Sequence, residues 1–142
     1  YVHMTKLALE QMKARQSGLI VNIIGMAGPN VRYDYVCGST GNAGLNAFTK
    51  AVGSRTPDYG VRVFGINPAA TRTDRIMTLS KARAKSSFGD ENRWEEVLGH
   101  LPSGRLKESD EVAALAVMLC GPQVQYLSGA MIDMDGGHMF RK

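Results

Sequence analysis

Few residues of this chain have types and spacing that could do chemistry. Two cysteines, Cys37 and Cys120, stand far apart among small or apolar residues. They form no Cys-x-x-Cys pair, and no histidines gather at metal-ligand spacing, so neither a thiol–disulfide centre nor a metal site is expected. The expectation is two reduced, buried thiols in a cytoplasmic protein. Basic residues gather at Arg72, Arg75, Lys81, Arg83 and Lys85, with only Phe88 nearby. A nucleic-acid surface needs stacking or groove-reading groups beside its charge. This stretch therefore reads as a solvated helix face, with contact to an anionic ligand as the alternative. The third candidate is DYVCGSTGNAGLNAFTK, residues 34–50, which opens a helix while carrying Gly38, Gly41 and Gly44. Glycine inside a helix costs about 1 kcal/mol against alanine. Either the backbone passes close to something there, or side chains are missing from positions that normally bear them.

The elements around these residues follow from periodicity. The chain has 142 residues, 44% apolar and 21% charged, with a net charge of +4. That suits one soluble domain with a sizeable core. It opens on Tyr1 and runs straight into helix-like text, which reads as part of a longer protein. Met4, Leu7, Ala8 and Met12 form one helical stripe over residues 4–15. LIVNII (19–24) and VRVFGIN (61–67) read as strands buried on both faces, as in parallel sheets covered by helices. A helix to about Ser54 packs Leu45, Phe48, Thr49 and Val52. Residues 75–100 read as two helical pieces broken near Gly89. Residues 108–120 read as a helix with acids in its first turn, which suits its dipole. AMIDMDGG (130–137) reads as a last strand ending in a Gly-Gly turn. The longest apolar run, Val112 to Cys120, is too short to span a bilayer. Buried strands alternating with helices predict an α/β fold with a parallel sheet, whose ligands bind at the carboxyl ends of the strands. The loops after Ile24, Asn67 and Ile132 are where a site belongs.

Four stretches, GLIVNIIGMAG, VRVFGINPAATRTD, LPSGRLKESDEVAALAVML and YLSGAMIDMDGG, resemble the C-terminal half of short-chain dehydrogenases/reductases, in order and at matching spacing. The resemblance implies a Rossmann-like, doubly wound parallel sheet. Residues 1–142 would be its C-terminal part, without the N-terminal βαβ units and their phosphate-binding loop, and 74–104 would be a substrate lid. It implies NAD or NADP, a small-molecule substrate, and a homo-oligomer (dimer or tetramer), with no nucleic acid, membrane or metal as partner. NPAATRT is similar to the family's loop against the nicotinamide. Pro68, Ala69, Ala70, Thr71 and Thr73 are then the expected cofactor contacts, with Ile23 at the strand end and Asn42 on the helix. Ala69 stands where a glycine is usual. Thr73 also reads as an N-cap for the helix that follows.

The family's reaction uses a serine after the buried strand, a tyrosine at the head of the long helix, and a lysine four residues on. With LNAFTKAV aligned on that helix, these positions fall on Gly25, Gly38 and Asn42. No register restores Tyr-x-x-x-Lys, because Asn46 stands four before Lys50, the helix's one lysine. Tyr35 is the nearest rescue candidate, ahead of Tyr33, Thr40 and Cys37. Helical side chains lean toward the N-terminus, so Tyr35 is expected to point away from the lost hydroxyl. Loss of a general acid costs about 10²- to 10⁴-fold. Asn42 can still bond a ribose hydroxyl. Gly44 reads as a close-packing position. The sequence leaves two functions open: an oxidoreductase with altered proton transfer, or a silent cofactor-binding scaffold or partner subunit.

Overall fold

The computed structural model describes residues 1–141. Helix α1 (Val2–Ala14) leads into strand β1 (Gly18–Ile23). Helix α2 (Val36–Gly53) returns the chain to strand β2 (Val61–Pro68). Helix α3 (Asp74–Phe88), short turns and helix α4 (Ser109–Leu119) precede strand β3 (Met131–Met134). The three strands are parallel in the order β1-β2-β3, with Ile20 opposite Val63 and Ile66 opposite Ile132.

Alternation along β2 assigns its two faces. Phe64 and Ile66 meet α4 through Leu119, with Val112, Leu115 and Ala116 packed beside them. Those α4 positions recur at one helical stripe, which is why this apolar segment docks as a helix. Burying side chains such as Phe64 and Ile66 contributes about 1.5–3 kcal/mol each. The opposite face of the sheet meets α2, where Asn22 of β1 donates to Thr49 Oγ1 at 3.0 Å. Helix α1 lies beside α2, its Thr5 and Leu9 lining one groove with Phe48 and Val52. Helices therefore cover both faces of a parallel sheet, the doubly wound arrangement expected.

Three expectations change. β2 is buried except at Arg62 and Pro68, but of β1 only the polar Asn22 is buried among the described residues. The second helical piece expected within 75–100 is absent. α3 ends at Gly89, whose φ of +74° closes the helix in the left-handed region, and 3-10 turns at Glu91–Arg93 and Glu96–Leu98 follow. The last strand ends in a turn as expected: β3 stops at Met134, and Asp135 accepts from the Gly137 and Met139 N–H groups. Both cysteines are exposed: Cys37 faces solvent on the first turn of α2, and Cys120 caps α4. Among the described residues no helix is long and apolar enough to cross a membrane.

Candidate active site

The carboxyl ends of β1 and β2 converge with the first half of α2. After β1 the ladder continues, with Ile24 N–H donating to Ile66 O at 2.8 Å and Met26 N–H to Pro68 O at 3.2 Å. Between them Gly25 turns with φ of +129°, a conformation that L side chains rarely adopt. Gly25 N–H reaches Asn67 Oδ1 at 3.3 Å, and Asn67 Nδ2 donates to Asp133 Oδ1 at 2.8 Å. One buried amide thus joins the ends of all three strands. On the other side, Asn42 Nδ2 donates to Gly25 O at 3.4 Å. The positions expected for the serine and the lysine are in contact. A Cβ on Gly25 would lie 3.3 Å from that same amide nitrogen.

Gly38 stands one turn before Asn42 on the same face of α2. Tyr35 ends a 3-10 turn (Tyr33–Tyr35) and is the N-cap of α2, with φ −135° and ψ 37°, outside the α-helical region. The lean expected of a helical side chain does not apply to it, and its ring folds over Gly38. A Cβ on Gly38 would lie 2.0 Å from Tyr35 Cε1, 2.3 Å from Cζ and 2.6 Å from Cδ1. Carbon atoms in contact sit about 3.5–4.0 Å apart. This corrects the sequence-based expectation that Tyr35 points away. A Cβ on Gly44, by contrast, would meet nothing within 4 Å, so Gly44 is no close-packing position among the described residues.

The loop after β2 is held from behind. Ala69 N–H donates to Met134 O at 3.1 Å, Lys107 N–H to Ala70 O at 3.2 Å and Arg72 N–H to Lys107 O at 2.7 Å. Thr71 Oγ1 donates to Ala69 O at 2.9 Å. The Ala70 and Thr71 N–H groups have no hydrogen-bond acceptor among the described residues. Ala69 has no positive φ, so alanine serves where glycine is usual. Thr73 Oγ1 accepts from Ile76 N–H at 3.3 Å and caps α3, as its position in the sequence suggests. Pro68, Ala69, Ala70, Thr71 and Thr73 thus lie on one braced loop at the strand end. Ile23 lies at the exposed end of β1, where its carbonyl accepts from the Tyr1 hydroxyl.

Three polar residues of this region escape sequence reasoning. Asn67 is 1% exposed and joins the strand ends. Its signal was an asparagine directly before the strand-end proline. Asn46 lies one turn beyond Asn42, and its buried Oδ1 has no partner among the described residues. Lys107 Nζ donates to Met134 O at 2.6 Å. Burial pushes its ammonium pKa down, against the pull of Glu111 and Asp135. It borders a cavity of about 240 Å³ behind the loop, with Ala69, Ala70, Pro102 and Met134. Among the described residues no group of His, Cys, Asp and Glu is placed to hold a metal.

The family model described as enoyl-(acyl carrier protein) reductase matches residues 1–139. A D-beta-hydroxybutyrate dehydrogenase of Cupriavidus necator is 33% identical over 95% of this chain and 53% of its own length. An uncharacterized oxidoreductase of Thermotoga maritima is 30% identical over 94% of this chain and 52% of its own. Among solved structures, an NADPH-dependent reductase involved in bacilysin biosynthesis covers the whole chain with TM-score 0.86 and 26% identity, over 55% of its own length. The chain spans about half the length of the curated relatives it matches. With its parallel sheet, its strand-end loops and this match across its length, the chain belongs to the short-chain dehydrogenase/reductase family.

Proposed function

We propose that the full-length protein carrying this chain is an NAD(P)-dependent oxidoreductase. It moves a hydride between a nicotinamide cofactor and a carbonyl or alcohol, with altered proton-transfer residues. The observation that carries this reading is the convergence of Gly25, Asn42 and the Pro68–Thr73 loop at the strand ends. The residues fit the group. Gly25 leaves open the space that its Cβ would fill, the Asn42 Oδ1 accepts no hydrogen bond among the described residues, and the Ala70 and Thr71 N–H groups are free to donate. Asn42 would bond a ribose hydroxyl, and the loop from Pro68 to Thr73 would hold the carboxamide and set the ring's face. A bound reduced nicotinamide supplies a hydride. This chain would orient the ring and the carbonyl at the strand ends.

Residues 74–104 act as the substrate lid, since α3 and its following turns leave the loop at the strand end. A homo-oligomer is supported by exposed Val2, Met4 and Leu7 on α1, next to α2. Two free thiols suit a reducing cytoplasm.

The replacement of the usual serine, tyrosine and lysine by Gly25, Gly38 and Asn42 favours a second reading: a cofactor-binding, catalytically silent scaffold or partner subunit. One experiment separates the two. Full-length protein is given NADH or NADPH with a panel of aldehydes and ketones, and loss of reduced-nicotinamide absorbance is followed. Turnover is expected. Tight cofactor binding without turnover on any carbonyl would leave the scaffold reading, and no cofactor binding would sink both.

A further inference from the structure

We infer that Tyr35 is the proton donor of this site, acting from the space that the missing side chain at position 38 leaves open. The inference rests on the oxidoreductase reading and deepens it.

The geometry makes two arrangements mutually exclusive. With Tyr35 in place, no residue with a Cβ fits at position 38, because that atom would lie 2.0 Å from Cε1 and 2.3 Å from Cζ. The close atoms, Cδ1, Cε1 and Cζ, run along one edge of the ring, so that edge lies over Gly38. The glycine is thus the residue that lets this phenol lie against α2. Tyr35 can adopt the pose because it stands outside the helical conformation at the N-cap.

The hydroxyl is chemically available. Tyr35 is 46% exposed, and its Oη makes no hydrogen bond among the described residues. Its ring heads a row on one face of α2: position 38, then Asn42, whose amide reaches Gly25 at the end of β1. The row ends beside the loop that begins at Pro68. A carbonyl seated there would sit nearer the backbone of α2 than one served by a phenol projecting from position 38.

The step balances as follows. A reduced nicotinamide held by Asn42 and the Pro68–Thr73 loop would supply the hydride that forms a C–H bond at the carbonyl carbon. The C=O π pair takes the Tyr35 phenolic proton, and its O–H bond breaks. The exposed phenolate regains a proton from water. One carbonyl, one reduced nicotinamide and one proton give an alcohol and the oxidised nicotinamide.

Tyr35→Phe is the test variant, because it keeps the ring over Gly38 and removes only the hydroxyl. In the full-length protein its NADPH affinity, read by fluorescence, should match the parent. Its kcat on a carbonyl that the parent reduces should fall about 100-fold or more. Gly38→Ala should evict the ring and lower kcat alone, yet add nothing in the Tyr35→Phe background. With 13Cζ-labelled tyrosine, the resonance lost in Tyr35→Phe should move when NADP⁺ binds the parent. Unchanged kcat in Tyr35→Phe, or a Tyr35 resonance indifferent to NADP⁺, overturns the proposal and leaves the oxidoreductase reading standing. A parent that binds NADPH and reduces no carbonyl overturns both.

Discussion

Asn67 donates through Nδ2 to Asp133 Oδ1 at 2.8 Å, tying the end of the central strand to the end of β3. Its carbonyl oxygen meanwhile accepts from Gly25 N–H at 3.3 Å. The side chain is fully enclosed, so neither bond can be replaced by bulk water without opening the site. Asn67→Ala removes both partners, and a bond to a charged group is worth about 1.5–3 kcal/mol. The expected result is a stability loss of about 2 kcal/mol in urea unfolding, together with weaker NADPH binding. Normal binding at reduced stability would show that Asn67 only braces the sheet.

A serine placed at position 25, where the resemblance sets the family's serine, should not raise activity. Gly25 has φ of +129°, and its Cβ would crowd the Asn42 amide at 3.3 Å. Holding a non-glycine residue in such a region costs about 1–3 kcal/mol. Gly25→Ser is expected to lower the melting temperature and to leave kcat no higher than the parent's. A rise in kcat at unchanged stability would show that the turn relaxes to accept a side chain.

Glu111 gives the fold a readable acid dependence. Its carboxylate accepts from Arg105 at 2.7 and 2.9 Å and from Glu108 N–H at 2.7 Å. Arg105 first, and the Glu108 N–H second, hold its pKa down at about 2, against an ordinary value of 4.5. A depressed folded pKa means that the unfolded state binds the proton more readily. The stabilisation is therefore complete above about 4.5 and is lost as pH falls toward 2. Between those values the melting temperature should fall with pH. Glu111→Gln should flatten that slope while lowering the melting temperature at neutral pH. An identical slope in the variant would assign the acid sensitivity to other carboxylates.

Gly44 faces open space on α2, and nothing in its surroundings requires a glycine. Gly44→Ala should stabilise the helix by about 0.5–1 kcal/mol, seen as a higher melting temperature. A lower melting temperature, with dissociation on a sizing column, would mean that a second subunit lies against this face.

Much of the framework was legible because it rests on local pattern. β-branched runs bounded by turns marked β1 and β2, first-turn acids before an apolar body marked α4, and Thr73 marked the start of α3. The strand-end loops followed, since a parallel sheet covered by helices places its ligands there. Errors arose where neighbours in space decide. β1 has the composition of a doubly buried strand, but among the described residues only its Asn22 is buried, and the small-residue surroundings of Cys37 and Cys120 did not bury them.

The sequence by itself determined the family, the order of the elements and the absence of a serine, tyrosine and lysine at positions 25, 38 and 42. These depend on residue identity and spacing along the chain. Only the tertiary structure decided what occupies those positions instead. Gly25 is held by its φ, Asn42 bonds back to it, and the Tyr35 ring lies over Gly38. The reason is that a side chain's direction follows from its own backbone dihedrals. Tyr35 sits just outside α2, where helical periodicity no longer says which way it points.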